Sequence, residues 1–263
     1  MASFTTHATY SEFTLYSYWR SSSSWRVRAM LAAKKVKYDY VDRHLVKGGQ
    51  FEEPYATSIN KMQQVPALTF KSGDKMVTLT QSLAMIKFLE AAFPDINPIT
   101  PADPIDLALA EEISEIINSG IQPLQNFSVM AYLTKESNET INGKAFGKTQ
   151  VRKAPVPFVH AAAPFAHTCV WQIEKGLAAI EALVASRYAD VPADESETDA
   201  FCLGKTSTPS VADMCLVPQL YNANRFNVDV DTICPTLVRV VACANKHPWF
   251  IASAPDQMPD AQV

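Results

Sequence analysis

The stretch Leu15-Tyr-Ser-Tyr-Trp-Arg-Ser-Ser-Ser-Ser-Trp-Arg-Val-Arg28 passes from a β-strand pattern, through four consecutive serines, into a helix pattern. Apolar residues from Trp25 to Leu31 repeat at helical spacing. Ser21 to Ser24 therefore fall at the N-cap and first turn of a helix, where hydroxyls and backbone N–H groups face the positive end of the helix dipole. Such a turn stabilises a negative group placed over it. The stretch predicts an anion or thiolate site, and the alternative is a polar turn that only caps the helix.

Composition limits the class of protein. The chain has 263 residues with 48% hydrophobic content, which predicts a folded globular protein of one large or two smaller domains. The net charge is -4, and the 23 Lys and Arg residues are scattered, which argues against nucleic acid as a partner. A run of about 18 apolar residues and a signal-peptide pattern are both missing from the sequence. We therefore expect no membrane span and a cytoplasmic location.

The cysteines predict neither a metal site nor a disulfide framework. Five are present, an odd number, and no two have C-x-x-C spacing. We expect reduced and mostly buried thiols. The serine stretch holds no cysteine, so a thiolate stabilised there must belong to a bound molecule.

The first part of the chain predicts a βαβ unit followed by a ββα unit. Residues 1–12 are polar and predict a flexible tail. A strand at 13–16, the serine-led helix to about Lys35 and a strand at 38–41 follow, and such a crossover makes the strands parallel. Ser72-Gly73-Asp74 predicts a hairpin turn between two further strands. The next helix pattern starts at Ser82, which predicts a serine cap.

Strand patterns largely disappear beyond a proline-rich stretch at 94–104. We place a domain boundary there, with a first domain at 13–97 and an all-helical second domain at 98–263. Helical patterns cover residues 105–130, 165–186, 210–224 and 236–245, and Ser210-Val211-Ala212-Asp213 predicts a capping box at the start of the third. The predicted fold class is α+β. Residues 134–164 and 188–200 fit no regular element.

Five sequence blocks, taken together, resemble the cytosolic glutathione transferases, and more narrowly the zeta class, whose best-known activity is maleylacetoacetate isomerase. The blocks occur in family order and are Tyr16–Arg28, Gln64-Val65-Pro66, Thr80–Ala84, Ser119–Asn126 and Ala212–Phe226. The resemblance implies a thioredoxin-like first domain that binds glutathione, a helical second domain that covers a second substrate, and a homodimer. Glutathione is then the cofactor.

The resemblance also assigns roles in the first domain. Ser21, Ser22 and Ser23 are the candidate catalytic residues, because hydroxyl and N–H groups at this turn lower a thiol pKa from about 8.5. The remaining positions match glutathione-binding residues of the family, and they are Ser24, Trp25, Arg26, Gln50, Val65, a cis Pro66, Gln81 and Ser82. Val65 would bind the cysteinyl part through its backbone, and Gln81 and Ser82 would hold the γ-glutamyl carboxylate.

In the second domain, Gln122, Asn126, Phe127 and Ser128 match the glutathione-binding helix segment. Arg225 matches the family position that meets an anionic substrate, and it is a candidate catalytic residue. Its chemistry suits that role, because a guanidinium binds a carboxylate with two hydrogen bonds. The alternative for Arg225 is a surface residue at a helix end.

The implied reaction is a glutathione-dependent cis-trans isomerisation of a conjugated enedione acid by reversible thiolate addition. One alternative is a transferase or isomerase acting on a bulkier secondary-metabolite electrophile, and another is a non-catalytic relative. The sequence departs from the family at Ser23, where cysteine is common, and at the long 134–164 segment. This insertion either reshapes the substrate pocket or is a surface loop.

Overall fold

The computed structural model describes residues 10–126, 129, 163–189 and 198–261. These residues divide into two compact units. One holds the described residues up to Thr100 together with those from Asn245 onward, and the other runs from Pro101 to Ala244. The C-terminal residues from 245 therefore do not join the second domain, which differs from the predicted 98–263 span.

The first unit contains a four-stranded mixed sheet with helices that follow the predicted order. Its elements are β1 (Tyr10–Ser17), α1 (Ser22–Ala33), β2 (Asp39–Asp42), β3 (Ala67–Ser72), β4 (Lys75–Thr80) and α2 (Ser82–Ala92). The strand order is β2-β1-β3-β4. The β1 and β2 strands are parallel, whereas β3 is antiparallel to both β1 and β4. The predicted βαβ and ββα units and the hairpin turn are confirmed.

The predicted tail at 1–12 is wrong for its last residues, because β1 begins at Tyr10. The Tyr10 ring packs edge-on against Phe70 and Phe88, with ring centroids 5.6 and 5.1 Å apart. Phe70 in turn stacks on Phe13 and Phe88. This aromatic group draws the start of the strand onto the core. Residues 1–9 lie outside the described residues.

The start of α2 also differs from the prediction. Ser82 is the first helical residue, and Gln81 occupies the N-cap without a side-chain capping bond. Gln81 has φ 75° and ψ 114°, a conformation that is costly for a residue with a side chain. The chain turns sharply at this point from β4 into the helix.

The second unit is helical, as predicted, with one added hairpin. Its elements are α3 (Pro104–Glu115), a π-helical segment (Ile116–Ile121), α4 (Gln122–Gln125), α5 (Ala163–Ala185), the short strands β5 (Ala200–Phe201) and β6 (Gly204–Lys205), α6 (Val211–Arg225), α7 (Val230–Ile233) and α8 (Pro235–Ala244). At the start of α6, the N–H and hydroxyl of Ser210 both donate to Asp213 Oδ2, at 2.8 and 2.9 Å. The predicted capping box is confirmed.

The single helix predicted at 105–130 is interrupted in the structure. Pro123 has no N–H to donate to a carbonyl of the preceding turn and its ring crowds that turn, which favours a break in the α-helix here. The chain forms the π-helical segment just before this point. A Cβ placed on Gly176 of α5 would lie 2.4 Å from the Ile121 side chain, so this glycine admits the segment against α5.

The C-terminal helix α9 (Pro248–Ser253) packs on α1 within the first unit. Trp25 Nε1 donates to Ser253 Oγ at 2.9 Å, and Arg28 Nε donates to the Ser253 carbonyl at 3.0 Å. These buried hydrogen bonds explain why the end of the chain belongs to the first unit. Most of the 134–164 insertion lies outside the described residues, and its last two residues open α5. The hypothesis about its role stays a prediction.

Candidate functional site

The strand register brings the predicted glutathione-binding segments to one edge of the sheet. Tyr16 of β1 pairs with Val41 of β2 and with Ala67 of β3, and Ala67 pairs with Thr80 of β4. The ends of β1, β2 and β4 therefore meet the beginning of β3. We call this the serine edge, since the chain leaves β1 there and enters the serine turn at Ser21.

The serine turn has the predicted helix-start geometry. Ser21 is the N-cap of α1, in extended conformation, and its Oγ accepts the Ser24 N–H at 3.2 Å. The Ser21 carbonyl accepts the Trp25 N–H at 2.9 Å, which begins the helix. Ser22 and Ser23 lie in the first turn and are half-buried. Because Ser21 Oγ accepts a hydrogen bond, its own proton can still be donated to an anion above the turn.

Ser24 is completely buried, and its Oγ has no hydrogen-bond partner among the described residues. It is the third residue of α1 and lies in the first turn, at the positive end of the helix dipole. A buried hydroxyl in this position adds a second polar group beneath the first turn. Trp25 is also buried, and its Nε1 is used by Ser253 rather than by the serine edge.

Two helix starts are connected directly at the serine edge. Arg26 is completely buried, and its Nη1 donates to Ser82 Oγ at 3.3 Å. This contact joins the second turn of α1 to the first residue of α2. A buried guanidinium beneath two helix N-termini increases the positive potential that an anion meets there.

The Val65-Pro66 peptide bond is cis, as the resemblance implies. Val65 packs on a cluster formed by Tyr18, Trp19 and Met258, so it lies beside the residues that lead into the serine turn. Gln50 lies in a short 3₁₀ turn (Gly49–Phe51) after β2. Its side chain is buried, and Oε1 has no hydrogen-bond partner in the described part of the chain.

A hydrogen-bonded brace behind the serine turn was not predicted as part of the site. Arg28 is completely buried, and its Nη1 and Nη2 donate to Ser17 Oγ, the Tyr18 carbonyl and the Trp19 carbonyl at 3.1–3.4 Å. The Trp19 N–H donates to Asp260 Oδ2 at 3.1 Å. The carbonyls that Arg28 binds precede Ser21, so the brace fixes the approach to the turn.

The second unit carries the other predicted residues. Gln122 opens α4, Asn126 follows it, and both are half-buried. Phe127 and Ser128 lie outside the described residues. Arg225 is the last residue of α6 and is exposed, and its Nη1 donates to Asn222 Oδ1 at 3.2 Å.

Comparison with known proteins decides the family. The glutathione S-transferase N-terminal domain model matches residues 11–91. Maleylacetoacetate isomerase of Dictyostelium discoideum is 36% identical over 94% of this chain and 95% of its own length. The chain belongs to the maleylacetoacetate isomerase family, the zeta class of glutathione transferases.

Two solved structures support the same membership in this zeta-class family. Maleylacetoacetate isomerase from Anaeromyxobacter dehalogenans 2CP-1, with glutathione bound in the active site, is 32% identical and covers 97% of this chain and 100% of its own, with a TM-score of 0.73. A bacterial maleyl pyruvate isomerase of the zeta class is 28% identical, covers 95% of this chain and 100% of its own, and also has a TM-score of 0.73.

The cysteines of this family member are poor sources of thiolate. All five lie in the described ranges, are buried and form no disulfide. Burial raises the pKa of Cys169 to about 11 and of Cys234 to about 12, and that of Cys202 well above its ordinary value. These thiols stay protonated at neutral pH. Within the same ranges, no helix is long and apolar enough to cross a membrane, and no cluster of His, Cys, Asp or Glu is arranged to hold a metal.

Proposed function

We propose that this chain is a glutathione-dependent cis-trans isomerase of a conjugated enedione acid. The serine turn carries the proposal, because a hydroxyl cap and the backbone N–H groups at the positive end of a helix stabilise a thiolate, and the chain's own cysteines lie elsewhere. The relatives support it, since two of them are maleylacetoacetate isomerases and one of these two holds glutathione in its active site.

The residues at the serine edge fit glutathione. The Ser21 hydroxyl can donate to a sulfur anion above α1, and Ser22 and Ser23 stand in the same turn. The N-terminus of α2 at Ser82 suits a carboxylate, and Arg26 beneath it adds positive charge. Ser24 Oγ and Gln50 Oε1 are buried without partners among the described residues, and they can accept from N–H groups of the ligand. Anion sites at two helix starts therefore match a molecule with a thiolate and a carboxylate.

Bound glutathione supplies the thiolate that adds to the substrate double bond and leaves after rotation about the resulting single bond. Ser21 and Ser22 lower the thiol pKa and keep the sulfur ionised. Val65 presents its backbone to the cysteinyl part, and Gln81 and Ser82 hold the γ-glutamyl end. The same turn opposes the negative charge that develops on the substrate oxygen.

Arg225, in the second unit, binds the substrate carboxylate. Its guanidinium is exposed, its Nη1 donates to Asn222, and the planar group of five N–H donors has the geometry that binds a carboxylate with two hydrogen bonds. Gln122 and Asn126, with Phe127 and Ser128, contribute the glutathione contacts of this unit.

We also propose a homodimer in the cytoplasm. Large apolar side chains at Phe51, Met62 and Met76 of the first unit are 55, 64 and 60% exposed, which suits a surface covered by a second copy. Buried reduced thiols suit a reducing compartment. Light scattering coupled to size exclusion measures the oligomeric state, and cell fractionation measures the location.

The first experiment follows maleylacetone by absorbance and NMR with and without glutathione. We expect the trans isomer only with glutathione, and much slower isomerisation in Ser21→Ala or Ser22→Ala. Ser11→Ala, at an exposed position of β1, is the matched control and should react normally. A stable glutathione adduct in place of the trans isomer would establish the transferase alternative instead.

A further inference from the structure

A network of hydrogen-bonded polar side chains connects Arg225 to α4 within the second unit. Arg225 Nη1 donates to Asn222 Oδ1 at 3.2 Å, and Asn222 Nδ2 donates to Gln125 Oε1 at 2.6 Å. Gln219 Nε2 approaches the same Gln125 oxygen at 3.5 Å. The exposed guanidinium is thus attached, through one buried amide, to the residue that ends α4.

The hydrogen-bonding chemistry of arginine determines which atoms of this network donate and which accept. A guanidinium only donates hydrogen bonds, so Asn222 must turn its oxygen towards Arg225. Its nitrogen then points to Gln125, which must accept with its own oxygen. Both amides therefore have one orientation that satisfies the network, and the alternative orientations place like groups together.

Burial makes this orientation costly to lose. Asn222 is 9% exposed and Gln219 is completely buried. A buried amide that loses its partner is not compensated by water. Asn222 precedes Arg225 by three residues, so the two side chains share one face of α6. A fixed Asn222 therefore restricts where the guanidinium can point.

We propose that Asn222 is a positioning residue that holds Arg225 in the orientation that binds the substrate carboxylate, with Gln125 fixing Asn222 in turn. Because α4 also carries Gln122, the network joins the carboxylate-binding arginine to the segment that matches the family's glutathione contacts. The inference rests on the proposed function, since it gives Arg225 a substrate carboxylate to bind. Asn222 thereby contributes to the choice between acidic and neutral substrates without touching them.

The test compares maleylacetone with its methyl ester, which lacks the charge. We expect the unchanged protein to prefer the acid in kcat/KM, and Arg225→Met to lose that preference. Asn222→Leu should lower kcat/KM for the acid about tenfold, through a higher KM, as expected for losing one hydrogen bond to a charged group, with little change for the ester. Asn224→Ala, an exposed neighbour on α6 outside the network, should behave like the unchanged protein.

The outcomes separate the proposed role of Arg225 from the proposed role of Asn222. An acid preference that survives in Arg225→Met, or is missing from the unchanged protein, would remove the proposed role of Arg225 and the inference with it. Loss of the preference in Arg225→Met but not in Asn222→Leu would overturn the inference alone. If Asn222→Leu does not fold, Gln125→Leu at a half-buried position tests the same connection, and it should shift the acid-to-ester ratio in the same direction.

Discussion

Replacing Ser21 should change the free energy of unfolding and the pKa of bound glutathione independently. Alanine and glycine differ as N-caps, but both lack the hydroxyl. The Ser21 Oγ accepts the Ser24 N–H at 3.2 Å, so Ser21→Ala removes an N-cap and should lower the unfolding free energy by about 1 kcal/mol. For a chain of this size that is roughly 2–4 °C in melting temperature. Ser21→Gly should cost only a few tenths of a kcal/mol, because glycine is an acceptable N-cap.

The thiol effect should be equal in both variants. A hydroxyl that donates to a thiolate forms a hydrogen bond to a charged group, worth about 1.5–3 kcal/mol. At 1.36 kcal/mol per unit, its loss should raise the pKa of bound glutathione by roughly one to two units. Ser21→Thr keeps an oxygen for both purposes and should change neither quantity much.

Ultraviolet titration of the protein-bound thiolate measures the pKa, and thermal unfolding measures the stability. We expect Ala and Gly to share the pKa change while Ala alone shows most of the stability loss. If the pKa stays constant in both variants and moves only in Ser22→Ala, Ser21 is a helix cap without a catalytic role. Equal melting temperatures for Ala and Gly would refute the capping estimate.

Three further perturbations test the framework of the first unit. Burial raises the pKa of Glu90, but its contact with Lys34 at 2.6 Å and backbone N–H donors outweigh this and leave the pKa lowered. The contribution of the Glu90 carboxylate to the free energy of unfolding is therefore present above about pH 4.3 and is lost as the pH falls through its lowered pKa. Glu90→Gln should reduce that pH dependence in urea unfolding. An unchanged pH profile would contradict this. Gln81→Gly should relieve the positive φ and raise the unfolding free energy by about 1 kcal/mol, while calorimetry shows weaker glutathione binding. A less stable Gly variant would refute the strain. Asp260→Ala removes the acceptor for the Trp19 N–H and should cost about 1–3 kcal/mol in thermal unfolding, whereas no loss would show that the C-terminal segment does not support the serine turn.

Local patterns predicted the parts of the fold that local forces determine. The N-cap at Ser21, the hairpin turn at Gly73 and the capping box from Ser210 to Asp213 each depend on residues within a few positions. Their side chains satisfy backbone groups of the same turn, so sequence spacing is sufficient to place them.

Long-range contacts explain what the sequence did not reveal. The Trp19 N–H and Asp260 are 241 residues apart, and no local pattern indicates that they meet. The interruption before α4 is different, because Pro123 stands in the sequence and a continuous apolar periodicity concealed its effect. The connection from Asn222 to Arg225 follows helical spacing, but its partner Gln125 lies on another element.

The serine turn and the cysteines together define how thiol chemistry is divided between protein and cofactor. The family commonly has cysteine where this chain has Ser23, and serine keeps a hydrogen-bond donor there without adding a second nucleophile. The remaining thiols are buried, and burial raises the pKa of Cys169, Cys202 and Cys234 so that they stay protonated. Under the function proposed above, the serine edge therefore ionises only a sulfur that arrives with the ligand. Addition and expulsion of that one thiolate is the chemistry that a reversible isomerisation requires.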